Sequence, residues 1–290
     1  MDTSEEKYFY IYDNKIIKKI SIDAKNLNSD SNIFKYGILK FCKHFDGEVF
    51  SIISGRDAKN NYYHWIIDVL PRLIILEKQL KNKKNINLLV PAYNKPYHIS
   101  SLKPFFKNCV NYISLNKNKF MSFNEIILTS NNNNYIFLNK VLLFKLKNKF
   151  IKYIKKNKIS SSFKPSKIYI SREDSNIFKN RSILNEKVLK KELKNRGFKI
   201  IQLSKLNFFK QILLFQNAKI IIGMHGAGLT NILFCNKKTR IVEITHKDWP
   251  NMYLKLARKL GLSYERIFGK KESVNSNRIE ILIKNFNKYI

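Results

Sequence analysis

Cysteine, glycine, proline and acidic side chains are all scarce in this chain: 3 Cys, 9 Gly, 6 Pro and 21 Asp plus Glu against 55 Lys plus Arg in 290 residues. Cys42, Cys109 and Cys235 stand singly and far apart. That spacing excludes a disulfide framework or a cysteine metal cluster and points to a reducing compartment with ordinary buried thiols. Long apolar runs are missing too. No stretch approaches the roughly 20 residues of a membrane span, and the opening MDTSEEKYFYIYD is acidic, without a hydrophobic signal core. The expectation is a cytoplasmic protein, whose charge favours peripheral contact with the anionic inner face of a membrane. With 44% apolar residues, general disorder is excluded.

Arginine is the other scarcity. The formal charge of +34 rests on 46 Lys and only 9 Arg, whereas nucleic-acid recognition leans on guanidinium forks. The lysines are spread along the whole chain beside abundant Asn, Ile, Phe and Tyr, which reads as a coding bias over a solvated surface. No specific nucleic-acid partner is expected. The bias sharpens what remains: where lysine is the default cation, a retained arginine does something lysine does not, and each glycine has a reason.

Strands are predicted at 7–12, 48–53, 87–91 and 125–129, with helix over 62–81, interrupted or restarted at Pro71, and a basic amphipathic helix at 138–157. KNKISSSFKPSK, at 156–167, reads as a linker between an N-terminal lobe (1–157) and a C-terminal lobe (166–290). The second lobe alternates regularly: strand 167–171, helix 185–195, strand 198–203, helix 206–216 capped by Ser204, strand 218–223 with a Gly-rich turn and short helix, strand 239–244, helix 249–260 and a strand near 262–268. A last helix at 277–289 would dock its apolar face on a neighbouring surface, the N-terminal lobe included. Strands alternating with helices predict α/β architecture with parallel sheets, whose ligands bind at the strands' carboxyl ends.

Three of the nine glycines surround His225 in IIIGMHGAGLTN, residues 220–231. A strand that ends in a Gly-rich turn and helix start gathers unpaired N–H groups around Gly226, Ala227 and Gly228, a site for a phosphate. The spacing is neither GK[ST] nor GxGxxG. Thr230 and Asn231 can add polar contacts. Arg172, just past another strand, and Arg181, followed by Asn185 and Glu186, fall at the same sheet edge, where guanidinium groups can neutralise a departing diphosphate. The alternative for Arg172 is a surface pair with Glu173 or Asp174. Glu243, inside the apolar TRIVEI strand, is placed to accept from ribose hydroxyls, with His246, Asp248 and Trp249 close behind. In NYYHWIIDVLPRL, residues 61–73, His64 and Asp68 share one helical face, so either is a candidate general base.

Taken together, these residues resemble glycosyltransferase family 61. The resemblance rests on NYYHWIIDVLPRL, on YISR followed by R..LNE, on GFKII, on FFKQILLFQNAKIIIGMHGAGLTNILF and on IVEI, and covers roughly residues 45–270. It implies a GT-B-like fold of two Rossmann-like lobes with a cleft between them. It also implies inverting transfer of a sugar from a nucleotide-linked, usually UDP-linked, donor to a glycan or lipid-linked saccharide, as in bacterial capsule or lipopolysaccharide biosynthesis. Carried over by position, Arg172, His225, Gly226, Asn231 and Glu243 fall on the donor side. His64, Asp68 and Arg72 fall on the acceptor-facing side of the first lobe. Lys210 departs from relatives that often carry an acidic residue there. DxD is absent, so no metal cofactor is expected and fixed cations would take the metal's place. Two other classes stay open: a non-enzymatic binder of nucleic acid or anionic surfaces, and a phosphate-transfer enzyme on the same fold.

Overall fold

The computed structural model describes residues 11–12, 15–16, 43–54, 58–106, 109–114, 121–129, 138–173, 181–274 and 276–286. The chain forms two compact units, Met1–Phe150 and Ile151–Ile290.

Unit 1 holds a short antiparallel pair, β1 (Ile11–Tyr12) and β2 (Lys15–Ile16), and a four-stranded sheet. The sheet runs β5-β4-β3-β6, from β3 (Lys43–Ser51), β4 (Asn85–Val90), β5 (Cys109–Ser114) and β6 (Met121–Leu128), all in parallel. Val49, Leu89 and Ile113 bury one of its faces. The pairing of β3 with β6 slips between Phe45 and Glu48, where Gly47 takes φ +75°, a conformation that favours glycine.

The helix predicted over 62–81 is one run in three pieces. Helix α1 (Tyr62–His64) passes into a π-turn, Trp65–Val69, and then into α2 (Leu70–Leu80), with Pro71 in the first turn of α2. Proline is tolerated there because it removes an N–H that the widened turn leaves without a regular partner. Helix α3 (Pro96–Leu102) and strand β5 carry no expectation from sequence. Helix α4 (Lys140–Lys156) matches the basic amphipathic helix.

Unit 2 holds a five-stranded parallel sheet of order β11-β10-β9-β7-β8. Its strands are β7 (Lys167–Ser171), β8 (Lys199–Gln202), β9 (Ile220–Met224), β10 (Arg240–Thr245) and β11 (Ser263–Phe268). Three helices alternate with them: α5 (Glu186–Asn195), α6 (Phe208–Asn217) and α7 (Met252–Leu260). The α/β class with parallel sheets is thus what the alternation predicted. Ile222, Met224, Val242, Ile244 and Ile267 build the core on one face of the sheet with Leu189 and Leu193 of α5.

Four local expectations are corrected. The cap of α6 is Asn207, whose side chain accepts from the Lys210 N–H at 2.9 Å, while Ser204 lies in a preceding 3-10 turn. The segment after the Gly-rich turn, Ala227–Phe234, is 3-10 rather than α-helical. Cys109 is exposed, Cys235 is buried, and Cys42 lies outside the described residues. No helix spans 277–286: β13 (Ile279–Glu280) pairs antiparallel with β12 (Lys270–Lys271), and a 3-10 turn covers Ile283–Phe286. Burial there alternates, with Ile279 and Ile281 inside and Leu282 60% exposed, so a period of two prevails over the helical one. Residues 287–289 of that expected helix, 7–10 of the expected first strand, and the polar run at 131–134 lie outside the described residues.

The packing of α3 carries a pH signature. His98 is fully buried, its ring 4.2 Å from that of Trp65, and its Nδ1 accepts from the Lys95 N–H. Burial, reinforced by Lys95, lowers its pKa to about 3 from an ordinary 6.5. Between those values the unfolded chain binds the proton and the folded one does not. The stability His98 contributes is therefore complete above about 6.5 and falls with pH toward about 3, by up to ~1.4 kcal/mol per pH unit. Urea midpoints at pH 7.5 and 5 should drop more for the native chain than for His98→Gln.

Candidate functional site

In an open parallel sheet the connections leave opposite ways at one point, and the carboxyl ends of the two strands flanking that point form a crevice. In unit 2 the order β11-β10-β9-β7-β8 places it between β7 and β9. Arg172 follows β7 directly, and the Gly-rich turn follows β9. The topology therefore brings together residues more than fifty positions apart. Arg172 Nη1 donates to the His225 carbonyl at 2.6 Å. Gly226 makes this approach possible, since a Cβ there would lie 2.0 Å from Arg172 Nη1 and 2.9 Å from its Cζ. Glu173, one of the two surface partners in the alternative reading of Arg172, pairs with Lys190 at 2.6 Å, and the other, Asp174, lies outside the described residues.

The turn that follows closes with the Leu229 N–H on the Gly226 carbonyl at 2.9 Å. The N–H groups of Ala227 and Gly228 precede that bond, so they are the orphan donors of the turn's start. Ala227 is exposed and Gly228 half-buried.

His225 is 3% exposed and tightly held. Its N–H donates to the Ile244 carbonyl at 2.8 Å, extending the β9–β10 ladder by one bond. Its Nδ1–H donates to Glu243 Oε1 at 2.6 Å, and the rings of Tyr253 and Trp249 lie 5.0 and 5.7 Å away. Glu243 has no exposed surface, and its second oxygen accepts from Arg266 Nε at 3.0 Å. The carboxylate therefore faces His225 and Arg266, not a position where a ribose would reach it. Its charge, added to burial, pushes the Tyr264 phenol far up, and burial with the same charge raises that of Tyr253.

Arg181 stacks on Trp249, 4.8 Å from guanidinium carbon to ring centre. Burial lowers its pKa, and its Nε finds no hydrogen-bond partner among the described residues. Its guanidinium thus lies over the same Trp249 ring that packs 5.7 Å from the ring of His225.

Three other expected donor contacts are taken up internally. The Asn185 side chain donates to the Ile281 carbonyl at 2.7 Å and accepts from the Ile281 N–H at 3.2 Å, clamping the C-terminal segment. Glu186 accepts from the Tyr169 hydroxyl at 2.8 Å and pairs with Lys190 at 3.3 Å. Asn231 is fully buried and donates to Gln211 Oε1 at 3.0 Å, fixing the 3-10 turn to α6. Of the residues after β10, His246 accepts from the Asp248 N–H at 3.2 Å, and Asp248 pairs with Lys271.

Unit 1 repeats the topological device. Its order β5-β4-β3-β6 reverses between β3 and β6. The chain leaving β3 leads into α1 and the π-turn, and Thr129 follows β6. His64 Nδ1–H donates to Asp68 Oδ2 at 2.7 Å, with side chains 16% and 9% exposed. That bond fixes the tautomer and leaves His64 Nε2 as the proton acceptor. The π-turn carrying Asp68 is anchored by Trp65, whose indole N–H donates to Ser101 Oγ at 2.8 Å. Arg72, expected on the acceptor side, is 4% exposed. It donates to the Asp68 carbonyl at 3.1 Å and to Thr129 Oγ1 at 2.6 Å, tying the helical run to the end of β6.

Arg266 is the residue sequence reasoning passed over. It is one of nine arginines, and the preference for scarce arginines would have flagged it. Its partner became visible only through the parallel register that sets Glu243 beside Arg266.

The family described as Glycosyltransferase 61 matches residues 62–242, a span that includes both switch-point regions. An EGF domain-specific O-linked N-acetylglucosamine transferase from Drosophila melanogaster is 39% identical over 89 residues, 30% of this chain and 17% of that protein. Its counterpart from Canis lupus familiaris is 36% identical over 89 residues, 29% and 17%. The Mus musculus protein is 41% identical over 59 residues, 20% and 11%. The match thus spans under a fifth of these relatives' own length. Among solved structures, a dipicolinate synthase chain from Bacillus halodurans aligns over 77% of this chain and 88% of its own at 10% identity and a TM-score of 0.20, too slight a likeness to bear on fold or activity. On the family match over residues 62–242, the chain belongs to the glycosyltransferase 61 family.

Proposed function

We propose that this chain transfers a sugar, with inversion, from a nucleotide-linked donor to a hydroxyl of a glycan or lipid-linked saccharide. The observation that carries this reading is the meeting of Arg172 with the Gly-rich turn at the switch point of unit 2. A diphosphate there would meet the guanidinium of Arg172, the N–H groups of Ala227 and Gly228, and the positive charge of Arg181. Glu243 acts at one remove, as the positioning residue that orients His225. The same cations would take the part a divalent ion plays elsewhere, so the reaction is proposed to need no metal.

The chemistry is a displacement at the anomeric carbon. His64 Nε2, oriented by Asp68, takes the proton of the acceptor hydroxyl as its oxygen bonds to that carbon. The bond from the anomeric carbon to the diphosphate oxygen breaks, and the leaving charge falls on the cationic turn. A GT-B-like arrangement is proposed on the same ground, because each unit has its own parallel sheet and switch point. The relatives' name makes UDP-N-acetylglucosamine the first donor to test. A bacterial polysaccharide or capsule acceptor, a cytoplasmic location and peripheral membrane contact complete the proposal, supported by the sequence pattern and the charge.

Two measurements check it. Thermal-shift screening should show stabilisation by UDP or a UDP-sugar without added metal, and turnover should fall by about 10²–10⁴-fold in Asp68→Asn, whose amide no longer holds His64 in the tautomer that leaves Nε2 free as general base. Folded Arg172→Ala and Asp68→Asn that both keep near-native turnover would overturn the assignment, as would salt-sensitive binding of unrelated nucleic acid with no effect of UDP.

Gly226→Ala should fold, displace the Arg172 guanidinium, and weaken UDP binding at least about tenfold by calorimetry. Because both changes remove one interaction, the double variant with Arg172→Ala should bind no more weakly than Arg172→Ala alone. Additive losses would show that Arg172 and the turn act separately.

A further inference from the structure

Unit 1 contains a second concavity, of about 820 Å³, within the roughly 300–1,000 Å³ range of ligand pockets. Ile86, near the amino end of β4, lines it, so it opens at the opposite end of the sheet from the switch point. Its apolar lining comes from Leu73 and Ile74 on α2, Leu142 on α4, and the pair Phe105–Phe106. The charges around it share one sign. Lys78 on α2 and Lys81 at its C-cap follow Ile74 at helical spacing, and Lys145 follows Leu142 on α4, so both helices present an apolar residue and then a cation along one face. Glu77 is the single carboxylate among the described lining residues, and Lys149 already pairs with it at 2.5 Å while lying over the Phe105 ring. Lys78, Lys81 and Lys145 make no ion pair with a described residue. Apolar walls beside unopposed cations, whose own stems extend the apolar surface, match a hydrocarbon chain with an anionic head.

We propose that this groove binds one membrane lipid phosphate, its hydrocarbon chain between α2 and α4 and its phosphate among Lys78, Lys81 and Lys145. The site is independent of the transfer reaction and would hold the chain at an anionic lipid surface.

The test is calorimetric titration of the full chain with dodecyl phosphate below its critical micelle concentration. One saturable site is expected, with dodecyl maltoside and inorganic phosphate each binding at least about tenfold more weakly. The triple variant Lys78→Glu, Lys81→Glu, Lys145→Glu should weaken dodecyl phosphate at least tenfold, as should Ile75→Asp at a lining position 37% exposed. A control triple of exposed α5 lysines, Lys187→Glu, Lys191→Glu, Lys194→Glu, lowers the net charge equally and should stay within about threefold of the native chain. The proposal is overturned if the groove triple binds as the native chain does, if the control triple loses as much, or if dodecyl maltoside binds equally well. Should Ile75→Asp fail to fold, the two lysine triples decide alone.

Discussion

A carboxylate with no solvent contact must be compensated inside the protein, because an unpaired buried charge costs several kcal/mol. Glu243 is that group. His225 and Arg266 divide its two oxygens between them, one reaching across from β9 and the other from β11. The pairing aligns three adjacent strands and fixes the ring of His225, whose carbonyl in turn receives Arg172. The Gly-rich turn is therefore not a free loop beside the sheet. It is the end of a chain of polar contacts that begins at a charge the fold has to satisfy.

Both units solve the same geometric problem. A parallel sheet leaves its strand ends unpaired on one side, and the reversal of strand order opens a gap in which side chains from distant segments meet. Unit 2 fills that gap with cations and backbone N–H groups. Unit 1 fills it with a histidine, a carboxylate and the buried Arg72 that pins them to the end of β6. Cations and N–H groups suit an anion, and a histidine–carboxylate pair suits the transfer of a proton.

Much of this was legible in the sequence, and the physical reasons divide cleanly. The strands of unit 2 were readable because Ile and Val runs alternate with helix-length segments, and the meeting of Arg172 with the turn followed from strand ends alone. What failed was local ambiguity or long-range pairing. The IEILI segment at 279–283 satisfies both helical and strand periods, and only pairing with β12 decides between them. Strand β5 was invisible because it lies at a sheet edge with just Ile113 buried. Asn185, Asn231 and Glu243 sit where a ligand contact was plausible, yet each is claimed by a partner eighteen or more positions away. Polar residues near a site look alike in sequence whether they face the ligand or hold the wall behind it.

The π-turn at Trp65–Val69 has a consequence of another kind. A π-turn accommodates one residue more than the α-helix it interrupts, and each residue of an α-helix turns the chain by about 100°. Removing a single residue between Trp65 and Val69 would restore an unbroken α-helix and swing His64 about a quarter-turn away from the face that Arg72 anchors. The alignment of His64 with Arg72 is thus encoded in chain length as much as in side-chain identity. Substitutions that keep the length of this segment and the buried volume of Trp65, Ile66, Ile67 and Val69 leave that alignment in place, whereas a one-residue gap removes it.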